Sequence, residues 1–297
     1  MAAFYIFIIL LCRVVQAVFS KRSSIEIKNI PMLVGYTAFQ NSVSAILGLL
    51  LILFASTGFK IDFLTVVIAC FSGISLFASG FCSITGMKYG TVSLVSMFGT
   101  AGMLIPFIAG IILFDQPINA LQWFGVALFF VSAWLLIKSS KQTYKNINFK
   151  TFLLFIGVMI SNGSTMLAQQ MFTKYVPEGD ISVFSFISFA LTFLLGTITF
   201  LILKHKKSFK AQNTEIKFPK ILIICGVALA IAVFIINQLA TISTTLVSPV
   251  VLFTFINGGG TIISAIVAAI LYKEKLTVKT IMGVIIGIVS LVIIKIF

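Results

Sequence analysis

The sequence predicts an all-α membrane protein with ten transmembrane helices in two inverted five-helix repeats. Of its 297 residues, 60% are hydrophobic and only 9% are charged. Those charges are too few to cover a water-facing exterior, so lipid is the expected solvent for most of the surface. About ten apolar segments of about 20 residues fill nearly the whole chain, which leaves no stretch long enough for a soluble domain.

Each predicted span is an apolar run bounded by polar or charged residues. The first begins close to Met1, with no basic segment before it and no small-residue cleavage site after it, so we interpret it as a retained helix. Pro106, Pro249 and the glycines 258–260 fall inside spans, where neighbouring helices can satisfy the backbone groups that they free. The ten spans cover about residues 3–19, 33–55, 63–86, 91–113, 121–138, 151–172, 181–203, 220–242, 247–271 and 279–296.

The basic residues lie almost entirely in alternate loops. About seventeen of the 21 lysines and arginines fall in odd-numbered loops, whereas Lys60, Lys174 and Lys295 fall on the other side. The positive-inside rule then predicts a multi-pass protein of the cell membrane, with cytoplasmic odd loops and both termini outside. The net charge of +14 indicates contact with anionic lipid headgroups rather than with nucleic acid.

The two halves of the chain, residues 1–145 and 146–297, resemble each other. Each half holds five spans, an odd number, so the second copy must enter the membrane from the opposite side. Such an inverted repeat lets one site open alternately to the two faces, which favours a transporter over a structural membrane protein. Among the matches, the glycines and the polar pairs carry more weight than the apolar ones. At one constant offset, Gly125, Ser132, Ile84 and Gly102 match Gly283, Ser290, Ile242 and Gly260, and at a slightly smaller one Gln16, Phe19 and Lys21 match Gln169, Phe172 and Lys174.

The C-terminal segment carries a family resemblance. An apolar span that starts at Ser248 leads into a Tyr-Lys-Glu-Lys-Leu turn at 272–276, and a last span with Gly283 and Gly287 follows. A weaker first copy reads Ile-Leu-Phe-Asp-Gln-Pro at 112–117. The chain resembles the ten-helix, EamA-like branch of the drug/metabolite transporter superfamily over essentially its whole length. The resemblance implies import or export of small metabolites. It also implies cytoplasmic termini, which the charge distribution contradicts, and we follow the charges.

Arg13 is the strongest candidate for a functional residue, because it is the only basic residue well inside a predicted span. A charge there costs about 2.5–3.5 kcal/mol on insertion scales, so a role in binding an anionic or zwitterionic substrate is expected. The alternative is that its side chain extends toward the headgroups. Gln16 lies three residues further on and shares a helix face with Arg13.

Further candidates are amides and hydroxyls inside other spans. Asn162, Thr165 and Gln169 follow helical spacing and form one stripe of the sixth span, which the resemblance places across a cavity from the first. The alternative for all of them is hydrogen bonding within or between helices, worth about 1 kcal/mol or less each. Gln40 and Asn41 are expected at the membrane interface. The remaining candidate substrate-binding residues are Ser96, Thr100, Asn237 and Asn257.

The positions of the acidic residues narrow the substrate class. All seven Asp and Glu residues are predicted in loops or at helix ends, so no buried acid is available to exchange a cationic drug for a proton. A neutral, zwitterionic or anionic metabolite is therefore preferred. No enzyme, metal or cofactor motif is found, since His205 sits in a basic loop and the four cysteines lack ligand spacing.

We therefore expect a small-molecule transporter that works by alternating access. Two alternatives remain: a translocase of a lipid or lipid-linked sugar, and a scaffold or accessory subunit without transport activity. The scaffold alternative predicts that the amides in the membrane pair with each other and leave no cavity. Because both repeats lie in one chain, a monomer is sufficient, and a dimer is also compatible with the sequence.

Overall fold

The structure, a computed structural model, describes residues 2–54, 61–106, 108–109, 119–143, 149–205, 218–247, 249–273 and 277–296. These residues form ten helices, one at the position of each predicted span, so the all-α prediction is confirmed for them. The helices are α1 (Ala2–Glu26), α2 (Ile30–Phe54), α3 (Phe63–Tyr89), α4 (Val92–Ala101), α5 (Ala120–Thr143), α6 (Phe149–Tyr175), α7 (Ile181–His205), α8 (Lys220–Leu246), α9 (Pro249–Tyr272) and α10 (Val278–Ile296).

The lengths and surfaces of the helices are those of a multi-pass membrane protein. Among the described residues, seven helices are long and apolar enough to cross a bilayer, namely α1, α2, α3, α6, α7, α8 and most of α9. The other three contain shorter apolar stretches. Large apolar side chains such as Phe54, Phe63 and Phe130 point outward and are well exposed, as lipid contact requires.

Polar side chains fix where several helices begin. The Asp62 carboxylate accepts a hydrogen bond from the Leu64 amide at the start of α3, and the Thr91 hydroxyl accepts one from the Leu94 amide at the start of α4. Asp180 accepts from the Ser182 amide at the start of α7. Each oxygen satisfies an amide that has no partner within its own helix.

The end of α1 differs from the prediction. The helix continues to Glu26, so Lys21 and Arg22 lie inside it rather than in the first loop, and Lys21 is only 5% exposed. The Lys21 amine donates to the carbonyls of Met87, at 3.0 Å, and Gly90, at 3.5 Å, which satisfies the buried charge. Arg22 pairs with Glu26 one turn later, at 3.0 Å, and supports the extension.

The fourth span also differs from the prediction of a continuous helix over 91–113. Helix α4 ends at Ala101, and a turn follows at Gly102 and Met103. The amides there bond three residues back rather than four, and Pro106 has no amide to donate. Residues 110–113 lie outside the described residues.

The tightest helix pairs join distant parts of the chain: α2 with α7, α5 with α10, α3 with α6, and α1 with α8. Helices α3 and α6 run antiparallel, because Phe155 near the start of α6 lies against Gly90, whereas Phe172 near its end clusters with Ile68. The ends of α3 and α6 therefore lie on opposite sides of the bundle. We call the side with the ends of α1 and α3 the Lys21 face, and the other side the Lys174 face.

Candidate functional site

Two adjoining chambers form a polar cavity inside the helix bundle. The first chamber, of about 90 Å³, lies between α1, α3, α4, α6 and α9. The second chamber, of about 110 Å³, lies between α1, α2, α3, α6, α8 and α9. The lining shared by both is polar and consists of Arg13, Gln16, Ser20, Ser79, Ser83 and Asn162.

The structure brings all the candidates from the sequence to this cavity. Three of them, Arg13, Gln16 and Asn162, line both chambers. The others divide between the two. Ser96, Thr100 and Asn257 line the first chamber, and Thr165, Gln169 and Asn237 line the second.

Arg13 is held at the centre of the cavity by neutral partners. One terminal nitrogen, Nη1, donates to the Gln16 side-chain oxygen at 2.8 Å, and Nη2 lies 3.4 Å from that of Asn257 on α9. Its Nε is buried without a hydrogen-bond partner. Among the described residues, no carboxylate pairs with Arg13. The side chain thus reaches across to α9, and none of the residues that the structure describes supplies a counter-charge.

Glycines of α9 create the space that Arg13 occupies. A Cβ atom on Gly259 would lie 2.7 Å from a terminal methyl of Leu10 on α1, which can rotate away. A Cβ atom on Gly260 would lie 3.6 Å from the Arg13 stem, in ordinary contact, and one on Gly258 would meet nothing within 4 Å. Among these three glycines, only Gly259 would need a neighbouring side chain to move if it carried a Cβ atom, and Gly260 borders the arginine.

The amides of α6 hold neighbouring helices while they line the cavity. The Asn162 amide donates to the Gly99 carbonyl of α4 at 2.6 Å. The Gln169 amide donates to the Asn237 side-chain oxygen of α8 at 3.0 Å. The interhelical bonding that was the alternative interpretation for these residues is therefore present, together with a cavity.

Hydroxyl groups link α4 to α9 beside Arg13. Thr100 and Thr261 pair at 2.7 Å between their hydroxyl oxygens, and the Ser96 hydroxyl donates to that of Ser264 at 2.9 Å. Thr165 instead donates to its own helix backbone, at the carbonyl of Ser161. Thr261 and Ser264 were not among the sequence candidates.

Several residues that line the cavity were not predicted from the sequence. Gln40 and Asn41 were expected at the membrane interface, and this was wrong. They lie inside α2, are 8% and 5% exposed, and line the second chamber, because the helix begins at Ile30 and carries them inward. Ser79 and Ser83 were also missed. A recognisable signal existed in the third span, where serines recur at helical spacing at positions 72, 75, 79 and 83.

Comparison with known proteins gives the fold but no family. No protein-family model and no curated protein matches the sequence. Among solved structures, 24 chains match. One, described only as a crystal structure of a protein, superposes with a TM-score of 0.68 at 11% identity, over 98% of this chain and 95% of that chain. The complete architecture therefore occurs in a crystal structure, and at this identity the likeness concerns the fold alone.

Proposed function

We propose that this protein transports a small anionic or zwitterionic metabolite across the cell membrane by alternating access. The observation that carries the proposal is the charge of Arg13, which faces the cavity with only neutral amide partners. A buried cation is costly unless a counter-charge is present. An acidic group of the substrate supplies that counter-charge, and the unpartnered Nε is a further donor for it.

The packing of the helices supports two inverted repeats, residues 1–145 and 146–297. The repeats relate α1 through α5 to α6 through α10 in order. If each helix is replaced by its counterpart in the other repeat, the packed pair α3–α6 becomes α8–α1. In the same way, α3–α7 becomes α8–α2, and α1–α9 becomes α6–α4. All of these helix pairs are packed against each other in the structure. Related helices that touch also run antiparallel, as opposite insertion requires. Examples are α4 and α9, where Ser96 contacts Ser264 and Thr100 contacts Thr261.

The volume of the cavity supports a small molecule as the substrate. Chambers of about 90 and 110 Å³ have room for a compact polar molecule and are small compared with sites for drug-sized ligands, which occupy about 300–1,000 Å³. A lipid or lipid-linked sugar needs a lateral opening wide enough for acyl chains. The scaffold alternative expects no cavity between the buried amides, and the cavity argues against it.

The acidic residues agree with this substrate class. Glu26, Asp62, Glu178 and Asp180 lie at helix ends or in loops, outside the two chambers. Asp115, Glu215 and Glu274 lie outside the described residues. The lining that the structure describes therefore offers one cation and no anion, which is unsuited to a cationic drug.

The family of the protein and its orientation in the membrane are proposed from the sequence. We propose membership of the EamA-like branch of the drug/metabolite transporter superfamily, although part of its motif, Ser248 and residues 112–117 and 274–276, lies outside the described residues. We also propose that the odd-numbered loops, and hence the Lys21 face, are cytoplasmic with both termini outside. One chain contains the complete cavity, so a monomer is sufficient.

Counterflow in proteoliposomes tests the proposed function. Vesicles with the intact protein are loaded in turn with an anionic, a zwitterionic, a neutral and a cationic metabolite. Exchange of an anionic or zwitterionic solute is expected, and Arg13→Ala is expected to lower it at least about tenfold, because a hydrogen bond to a charged group is worth about 1.5–3 kcal/mol. Exchange of cations alone, or full activity of folded Arg13→Ala, would contradict the proposal.

The Gly260 position gives a second test of the cavity. Gly260→Leu is expected to reduce exchange about tenfold, because the added side chain enters the space of the Arg13 stem and an overpacked site costs about 1–3 kcal/mol. Gly260→Ala is the matched control and should stay within about twofold of the parent, since its Cβ meets only ordinary contacts. Equal exchange rates for the leucine and alanine variants would show that this wall of the chamber does not limit transport.

A further inference from the structure

The two chambers of the cavity differ in how far their polar groups are satisfied by the protein. In the first chamber, Ser96 pairs with Ser264 and Thr100 pairs with Thr261, so these hydroxyls bond each other across α4 and α9. They hold the two helices together, and each already has a protein partner. The amides of the second chamber are bonded less completely.

Gln40 of α2 is the least satisfied of these amides. The residue is 8% exposed, and its side chain makes no hydrogen bond with any residue that the structure describes. Its amide atoms are accessible from the second chamber, which the residue lines. A buried amide without a partner is costly, so a group inside the chamber has to satisfy it.

Two further amides of this chamber each have an oxygen left over. The Asn41 nitrogen donates to the Thr37 carbonyl of its own helix at 2.7 Å, and the Gln169 nitrogen donates to the Asn237 side-chain oxygen at 3.0 Å. Because only an amide nitrogen can donate to an oxygen that solely accepts, these bonds fix which atom is the oxygen in each side chain. Within the described part of the chain, neither Asn41 Oδ1 nor Gln169 Oε1 accepts a hydrogen bond.

An apolar wall on α8 completes the second chamber. Leu229, Val233 and Ile236 follow helical spacing on α8, and all three line the chamber. Arg13 of α1 lines it as well. A molecule in this chamber therefore meets a cation, an apolar surface and amide oxygens.

The charges of this lining determine which group of a ligand suits the amides. An amide oxygen only accepts, so its partner has to be a donor, and a second carboxylate of the ligand would face these oxygens with no proton between them. An ammonium group would share the chamber with the Arg13 cation, and none of the described residues that line the chamber is acidic. A hydroxyl or amide group donates a hydrogen bond without carrying a charge.

We propose that Gln40, Asn41 and Gln169 form an amide subsite that selects a substrate with an uncharged hydrogen-bond donor. The substrate is then a monocarboxylate. Arg13 binds its acidic group, the amide subsite binds a hydroxyl or amide group at its other end, and the apolar wall of α8 packs against the carbon chain between them. This inference rests on the proposed function, since it narrows the substrate class assigned to the same cavity.

Ligand-induced thermal stabilisation in detergent tests the amide subsite. The probes are the unbranched carboxylates from propionate to hexanoate, each compared with the analogues that carry a hydroxyl or an ammonium group on the terminal carbon. A ligand that binds only the folded protein raises the unfolding midpoint, so titration gives an affinity for each probe. At the chain length that spans Arg13 and the amide subsite, the hydroxyl form is expected to bind about fivefold to tenfold more tightly than the methyl and ammonium forms, which is the gain from a neutral hydrogen bond.

Gln40→Met is expected to reduce this preference to about twofold or less, because methionine keeps the length of the side chain and removes its amide. The Gln40 side chain has no hydrogen bond to the described residues, so the variant loses no bond of that kind and is expected to fold. Gln170→Met, the same substitution on α6 outside both chambers, is the matched control and should keep the full preference.

The comparison of probes in the unchanged protein already decides the inference. Equal affinities of the hydroxyl and methyl forms at every chain length, or tighter binding of the ammonium form, would overturn the amide subsite. So would an undiminished preference in folded Gln40→Met.

Binding in detergent needs no transport, which separates the two proposals. Preferred binding of the hydroxyl form without any counterflow would overturn transport and support the amide subsite. Counterflow that depends on Arg13, with no preference for the hydroxyl form, would overturn the amide subsite and leave the proposed function intact. Absence of binding by every probe would also overturn the amide subsite, while counterflow of another anion would still support the proposed function.

Discussion

Gln16→Glu is expected to lower the affinity for the anionic substrate strongly while the protein remains folded. The Gln16 side-chain oxygen already accepts from Arg13 at 2.8 Å, and a glutamate of the same shape places a carboxylate at that position. The internal ion pair then supplies the counter-charge that we assign to the substrate. Substrate affinity should fall by about tenfold to a hundredfold, the range given by a charged hydrogen bond of about 1.5–3 kcal/mol. Counterflow at several substrate concentrations measures this loss.

The same chemical change away from Arg13 provides the control. Gln170→Glu introduces a carboxylate on α6 beside a separate pocket of about 440 Å³ between the ends of α6 and α8. No bond between Gln170 and Arg13 is present, so exchange should be retained. Asn257→Asp, on the other side of Arg13, should repeat the effect of Gln16→Glu in weaker form because its oxygen is 3.4 Å away. Normal affinity in Gln16→Glu would mean that Arg13 is not the residue that binds the acidic group.

Gly163→Ala is expected to have the largest effect on stability. A Cβ atom on Gly163 would collide with the Gly102 carbonyl oxygen and lie 2.9 Å from the Gly102 carbonyl carbon and 2.8 Å from a methyl of Ile105. Backbone atoms of α6 and of the turn that follows α4 meet here, and they cannot rotate away as a side chain can. We expect a loss of about 3 kcal/mol, at the upper end for overpacking, and a lower thermal unfolding midpoint in detergent.

Gly258→Ala is the matched control for this measurement, because its Cβ atom would meet nothing within 4 Å. It changes the same residue type inside a helix and should alter stability by no more than about 1 kcal/mol. If Gly163→Ala and Gly258→Ala unfold at the same temperature, the backbone of Gly163 and that of Gly102 are further apart than the structure places them.

Much of the fold and part of the cavity could be predicted from the sequence. The helices follow from hydrophobic runs of bilayer length, because lipid leaves the backbone no partner other than itself. Asn162 and Gln169 could be assigned to one face because polar residues at helical spacing inside an apolar span stand out. Arg13 stood out for the same reason. All of these residues are polar or charged and lie within apolar segments, which is visible in the local sequence alone.

The remaining features depend on packing between distant segments. Lys21 was assigned to a loop because nothing in its neighbourhood shows that carbonyls of Met87 and Gly90, more than sixty residues away, will receive its amine. Gln40 and Asn41 were assigned to the membrane interface because they lie near the predicted end of the second span. The break after Ala101 arises where Gly102 meets Gly163, a contact that no local pattern encodes.

The charge of Arg13 also determines which step of the proposed cycle responds to the membrane voltage. An empty protein carries one uncompensated positive charge at the cavity, whereas a bound monoanion cancels it. A full elementary charge that crosses the field changes in energy by about 2.3 kcal/mol per 100 mV. Voltage therefore acts on the return of the empty carrier and leaves the loaded step nearly unaffected. One-for-one exchange of monoanions, which avoids the empty return, should proceed at the same rate at every membrane potential, while net flux should not.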